Sequence, residues 1–318
     1  MNQGYDVSPI LRLHYDIEPM NVTPQKGGWA ALAFRVTCAH GRSYFLKMYE
    51  KSRASTAKWT ALIDVYMPVM EWLRHHSRLQ GSVPVPVLTN NGRFQCEDEH
   101  GVYLLYDYID GETIGERALS EMQFSRLSEL IAELHAYGEE IPVPTEALKE
   151  TFDVPYLQPL RSVIDTELYE LPADVQAVLQ SYTPQLQEAL LTVEQLSAVL
   201  KERTLPMVLC HTDIHNWNLM QSGDELLWID WEGLRLAPPE ADLMFMAEMP
   251  YYDRFLCEYR KRHAGYEVNR EALHFYQGRR KLEDIWEFIE QLLQDKQDEQ
   301  DRADTLHSLQ KELKSLDA

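Results

Sequence analysis

Asp213 and Asn218 stand five residues apart in the run Cys210-His211-Thr212-Asp213-Ile214-His215-Asn216-Trp217-Asn218, and Asp230 closes the apolar stretch at residues 226–229. These residue types at this spacing suit phosphoryl transfer. One loop presents a carboxylate base to a hydroxyl at Asp213 and an amide oxygen to a magnesium ion at Asn218. An aspartate leaving a short buried strand then supplies a second metal ligand.

The same run also suits a competing chemistry. His211, Asp213 and His215 alternate, and imidazole with carboxylate suits zinc or iron. A metallohydrolase built on them needs further histidines close by, whereas the other nine histidines are dispersed from His14 to His307. A set of merely loop-satisfying polar residues would have to explain a base, an amide and a strand-end aspartate in this order.

Positioning such groups requires a sheet ahead of the loop and helices around it. Residues 29–36 and 43–48 read as strands joined by a turn at 39–42. Before them, Lys26-Gly27-Gly28 forms a candidate backbone-lined phosphate loop, since glycine lets the main chain approach an anion closely; two glycines before a strand also mark an ordinary turn. Lys47 shares a strand face with Phe45 and Tyr49. A lysine there suits nucleotide phosphates, and it calls for a carboxylate from the next helix, where Asp64 and Glu71 are the only acids; Asp64 is the preferred partner.

Residues 55–76 read as helical. The run VPVPVL at 83–88 reads as an extended entry to a strand, with a hairpin turn at Asn90-Asn91-Gly92. Residues 102–109 form the next strand, broken by Asp110-Gly111. From there the periodicity is helical: residues 120–137 put Leu127, Leu130, Ile131 and Leu134 on one face. A mostly helical stretch at about 150–205, with Pro155, Pro159, Pro172 and Pro184 as punctuation, is a candidate substrate-shaping insertion. Helices resume near residue 252. The last, at 301–316, carries Leu306, Leu309, Leu313 and Leu316 at helical spacing, for packing on the same chain or on a second copy.

Composition narrows the function classes. The 318 residues, 45% apolar and 25% charged, can bury a full core. No apolar run of membrane-spanning length occurs, and the N-terminus lacks a secretory hydrophobic region, so a cytoplasmic protein with no membrane partner is expected. Four scattered cysteines without a C-x-x-C pair point to reduced thiols rather than disulfides or zinc. A net charge of −21 disfavours nucleic acid as a partner and suits a cationic small molecule, or simple solubility.

Residues 208–245, VLCHTDIHNWNLMQSGDELLWIDWEGLRLAPPEADLMF, resemble the catalytic core of the aminoglycoside phosphotransferase and choline kinase family, with greatest similarity to spectinomycin phosphotransferases. The resemblance extends to the glycine pair, the YFLK strand at 44–47, YDYIDG at 106–111 and a late helix with Arg280, Glu283 and Asp284, and it is weak across 140–205. It implies an α+β, two-lobed, protein-kinase-like fold. Residues 1–107 would form an antiparallel-sheet lobe with one main helix, 108–113 a hinge, and 114–318 a larger, mostly helical lobe.

The same resemblance implies ATP as cofactor, with GTP as an alternative, and Mg²⁺. Asp213 would be the catalytic base and His211 would order its loop. Asn218 and Asp230 would bind the metal, and Asp242 would brace the loop from behind. Gly27, Gly28, Lys47, Asp64, Asp107, Tyr108 and Ile109 would serve the nucleotide, its adenine lying against the backbone of the last three. The family usually has glycine at the position of Trp217 and glutamate at that of Asp64. The acceptor would be the hydroxyl of a small cationic molecule such as an aminoglycoside or aminocyclitol. Choline, homoserine, methylthioribose or fructosamine are alternatives, as is a nucleotide-binding pseudokinase acting through a partner. Asp165, Glu167, Glu170 and Glu248 are candidate partners for acceptor amines, and the protein would be a monomer or homodimer.

Overall fold

The computed structural model describes residues 5–25, 27, 28 and 30–317. Lys26 and Trp29, at the start of the expected glycine loop and strand, lie outside the described residues.

Helix α1 (Ser8–Tyr15) opens the described chain, with a proline in its first turn, where the missing N–H costs no hydrogen bond. Strands β1 (Asn21–Gln25), β2 (Leu32–Thr37) and β3 (Ser43–Glu50) follow, then helices α2 (Thr56–Thr60) and α3 (Ile63–His76), strands β4 (Cys96–Glu97), β5 (Gly101–Asp107) and β6 (Glu112–Thr113), and helix α4 (Glu121–Leu134). Next come α5 (Leu157–Ser162), α6 (Ala173–Gln180) and α7 (Thr183–Lys201), then β7 (Val208–Cys210), β8 (Leu219–Ser222), β9 (Glu225–Trp228) and β10 (Arg235–Ala237). Helices α8 (Glu240–Ala247), α9 (Tyr252–Arg262), α10 (Arg270–Gln294) and α11 (Glu299–Lys314) end the chain. Among the described residues no helix is long and apolar enough to cross a membrane, and no cysteine is in a disulfide.

The chain forms two compact units. The first comprises residues 1–148, 208–236 and 253–264, and the second 149–207, 237–252 and 265–318.

In the first unit a five-stranded antiparallel sheet runs in the order β1-β2-β3-β5-β4. The register sets Lys47 of β3 between Ala33 of β2 and Leu104 of β5, so the lysine sits in the middle of the sheet. Alternation then divides the sheet's faces. Tyr44, Leu46 and Met48 join a core with Phe34, Val36, Tyr103 and Leu105, which α1 covers with Ile10, Leu11 and Tyr15, while Lys47 points the other way. Pro24 is tolerated in β1 because that strand is at the sheet's edge. Helix α4 begins with a capping box, Ser120 and Gln123 satisfying each other's backbone amides, and buries Leu127, Leu130, Ile131 and Leu134.

The segment after α3 departs from the expected hairpin. Residues 83–88 form no strand, although the Val87 N–H donates to Leu105 O at 2.6 Å. The turn falls at Asn90-Asn91-Gly92, with Gly92 at φ 71° and the Thr89 N–H donating to Arg93 O, but it leads to a strand of only two residues, β4. Two prolines in VPVPVL remove the donors a full strand would need.

The second unit is helical. Helix α10 packs against α7, α8 and α11, burying Phe275, Leu282, Ile285 and Ile289. Leu309 and Leu313 of α11 are fully buried, so this leucine face packs on the chain itself, against α10 and α6. Pro184 stands in the first turn of α7, just past the end of α6, while Pro159 lies inside α5. The Arg279 guanidinium pairs with Glu150 at 2.7 Å and fixes the segment after residue 149 to α10.

Candidate active site

Strand β7 delivers the chain to His211, a fully buried residue whose ring stacks on Trp228 with centroids 4.6 Å apart and meets Trp231 at 4.7 Å. Its two nitrogens face unlike partners. Nε2 lies 3.0 Å from Ile229 O, which can only accept, and Nδ1 lies 3.2 Å from the Asp213 N–H, which can only donate. The Nε2–H tautomer satisfies both, so His211 ties the start of the loop to the end of β9.

The loop is further closed on itself. Asn218 Nδ2 donates to Asp213 Oδ2 at 2.8 Å and to Asp213 O at 3.0 Å, and His215 Nε2 is 3.3 Å from Asp213 Oδ1. The Ile229 N–H donates to Asn218 O at 2.9 Å, which brings Asp230 to the same place as Asn218. Asp213, Asn218 and Asp230, named from sequence, are therefore held together by a short hydrogen-bonded frame. Asn218 spends its amide nitrogen on Asp213 and keeps Oδ1 to offer. With the carboxylate of Asp230, the donor set is all oxygen, which suits a hard cation such as Mg²⁺.

Two backbone positions at this frame are left-handed: Thr212 at φ 68° and Asp230 at φ 62°. Aspartate tolerates that region; threonine, being β-branched, does so at a cost. Thr212 is held there by its hydroxyl, which donates to Gly233 O at 2.8 Å. The two loops approach so closely that a Cβ on Gly233 would collide with Thr212 Oγ1 and come within 2.9 Å of His211 O. Gly233→Ala is accordingly expected to cost roughly 1–3 kcal/mol of stability through overpacking. Calorimetric unfolding checks this, and an unchanged melting temperature would show that the contact yields freely.

Lys47 Nζ donates to Asp230 Oδ1 at 2.8 Å and to Glu232 Oε1 at 2.5 Å. Burial on its own pulls the ammonium down; the charges of Asp230 and Glu232 more than offset this and hold it well above the ordinary lysine range. The expected pairing with Asp64 is corrected: Asp64 faces outward and binds Arg93 at 3.3 Å. The physical reason is helical phase. Asp64 and Glu71 are seven residues apart and share one face of α3, while Tyr66, fully buried, lies on the other side of the helix. The sequence reading missed Glu232. Its signal was an acid two residues beyond Asp230 in the run Ile229-Asp230-Trp231-Glu232-Gly233.

Of the glycine pair, Gly27 is required by packing, since a Cβ there would lie 2.7 Å from Ala31 O, whereas Gly28 faces open space. At the end of β5, Asp107 is exposed and lies 3.8 Å from Arg42, and Tyr108 and Ile109 are half-buried. The Tyr108 N–H donates to Ser43 O at 3.1 Å, and Arg35 lies over the Tyr108 ring at 4.2 Å. Trp217, where glycine was expected, lies beside Gly115, its ring 3.2 Å from where a Cβ would stand; Gly115 adopts φ 60°. Asp242 is fully buried in α8 of the second unit. Asp165, Glu167, Glu170 and Glu248 are all exposed, the first two accepting from Gln187 and Ser162.

Residues 21–283 match the model of the phosphotransferase enzyme family, APH. The chain belongs to this family. Among solved structures it is similar to spectinomycin phosphotransferase APH(9)-Ia in complex with ADP and spectinomycin, at 21% identity over 98% of this chain and 97% of that one, with a TM-score of 0.74. Choline kinase LicA from Streptococcus pneumoniae aligns at 17% identity over 97% of this chain and 98% of that one, with a TM-score of 0.62. Amicoumacin kinase hAmiN, in complex with AMP-PNP, Ca²⁺ and Ami, aligns at 17% identity over 98% and 94%, with a TM-score of 0.59. Among curated proteins no relative matches the sequence. The APH fold is thus the α+β, two-lobed, kinase-like one expected from sequence, and the family's enzymes are phosphotransferases.

Proposed function

We propose that this phosphotransferase moves the γ-phosphoryl group of ATP to a hydroxyl of a cationic aminocyclitol or aminoglycoside, in a reaction that depends on Mg²⁺. The observation that carries the reading is the convergence of Asp213, Asn218, Asp230 and Lys47 in one unit, tied by hydrogen bonds of 2.8 Å from Asn218 to Asp213 and from Lys47 to Asp230.

In this reading Asp213 orients the acceptor hydroxyl and takes its proton as the new O–P bond forms, while Asn218 and His215 fix the rotamer of its carboxylate. His211 holds the loop. Lys47 turns its ammonium to the nucleotide phosphates. With the Tyr108 amide spent on Ser43 O, the adenine is read by the backbone of Asp107 and Ile109. Asn218 and Asp230 would hold Mg²⁺, which supplies neutralisation of the charge spread over the phosphoryl oxygens.

Three observations support a cationic acceptor. The net charge is −21. The spectinomycin-bound structure covers nearly the whole chain at a TM-score of 0.74. In the second unit, α10 keeps Glu283, Asp284 and Glu287 at half-buried positions. There burial pushes the Asp284 carboxyl up to about 7, although Arg280 binds it at 2.9 Å and pulls the other way. An amine beside such a carboxyl would return it to its charged form.

Coupled ADP release tests the assignment, with ATP and GTP offered separately against spectinomycin, other aminoglycosides, choline, homoserine and methylthioribose. Turnover with spectinomycin or an aminoglycoside is expected. Turnover confined to choline, homoserine or methylthioribose would replace the acceptor with a metabolite, and nucleotide binding without turnover on any of them would refute the cationic-antibiotic assignment.

A further inference from the structure

In this chain no acid of α3 reaches Lys47, yet the lysine is firmly held. Glu232 does the holding. Its Oε1 accepts from Lys47 Nζ at 2.5 Å and from the Tyr49 hydroxyl, and Tyr49 shares a face of β3 with Lys47, its ring 5.3 Å from the ammonium. The Glu232 side chain is 8% exposed and that of Lys47 12%, whereas Asp230, the lysine's other partner, is 40% exposed. Glu232 is also rigidly carried. The Trp231 indole donates to Trp228 O at 2.6 Å and the Leu234 N–H to Trp231 O at 3.0 Å, while Thr212 grips Gly233 O.

Helix α3 brings a buried tyrosine, and no carboxylate, within electrostatic reach of this pair. Tyr66 is fully buried, its hydroxyl has no hydrogen-bond partner among the described residues, and its electrostatic neighbours are Glu232, Tyr106, Tyr49 and Lys47. A buried tyrosine hydroxyl left unmatched is costly.

We propose that Glu232 is the positioning residue of Lys47, in place of a helix carboxylate, with Tyr49 and Tyr66 enclosing it. The inference rests on the phosphotransferase reading above. An ammonium has three donors. Lys47 keeps its bond to the buried Glu232 throughout and exchanges the exposed Asp230 for a nucleotide phosphate, which frees the Asp230 carboxylate to bind the cation. The direction of Lys47 is thereby set by the same turn that carries Asp230, and not by the position of α3.

Calorimetric titration with ADP in the presence of a chelator separates this role from that of a metal ligand. Glu232→Gln is expected to weaken metal-free ADP binding by on the order of tenfold, the scale of a lost hydrogen bond to a charged group. In a Lys47→Ala background the same change should cost nothing more, because its effect passes through the lysine. Tyr49→Phe, which keeps the ring and the fold, should give a smaller loss in the same direction with the magnesium requirement unchanged. Unaltered metal-free affinity in Glu232→Gln with a raised magnesium requirement would make Glu232 a metal ligand and overturn the proposal. Losses that add in the double variant would overturn it too, as would Asp64→Asn or Glu71→Gln carrying the loss instead. Failure of the unmutated protein to bind ADP at all would be a different result, refuting the phosphotransferase reading itself.

Discussion

Asp213→Asn is expected to cut turnover by at least about a hundredfold, the usual contribution of a positioned general base, while nucleotide binding survives. The two effects separate because of where the Asp213 carboxylate lies. Its partners are Asn218 and His215 within its own loop, and Lys47 bonds to Asp230 and Glu232 instead. Asparagine has nearly the same shape, so the loop's frame through His211, Ile229 and Asn218 should stand. Steady-state turnover and ADP titration on the same preparation check this. Preserved turnover would remove Asp213 from the mechanism.

The second large effect is expected from Asp230→Asn, which should raise the magnesium concentration for half-maximal activity by at least about tenfold, since even outer-shell losses at metal sites cost that much. Asparagine is the appropriate replacement because the residue sits at φ 62°, a conformation that asparagine and aspartate tolerate better than other side chains. The fold should survive because Lys47 keeps Glu232, so no buried ammonium is stranded. Magnesium titrations of activity and of ADP binding are the measurement, and an unchanged magnesium dependence would contradict Asp230 as a ligand.

How far the sequence could be read depended on how locally each feature was encoded. The loop from His211 to Asn218 was legible because base, amide and histidine lie within eight residues and bond mainly to one another and to the nearby β9 end. Lys47 was legible from strand alternation, but its partner was not. Periodicity gives the angle between Asp64 and Tyr66 on α3 but not which face meets the sheet, and the carboxylate that holds the lysine lies 185 residues away in sequence. The leucines of α11 announced a buried face without saying what would bury it, and the structure supplies α10 and α6. Helix α1 and strand β1 escaped notice because each contains a proline, which is acceptable in a helix's first turn and on a sheet edge. Of the prolines of residues 150–205, Pro172 and Pro184 do mark helix starts, whereas Pro159 lies inside a helix.

Mass spectrometry of spectinomycin after incubation with this protein, ATP and Mg²⁺ tests whether the protein phosphorylates a cationic acceptor. The acceptor is expected to gain one phosphoryl group with the unmutated protein and none with Asp213→Asn. Spectinomycin and the other cationic acceptors remaining unmodified, with Mg-ATP demonstrably bound, would contradict it.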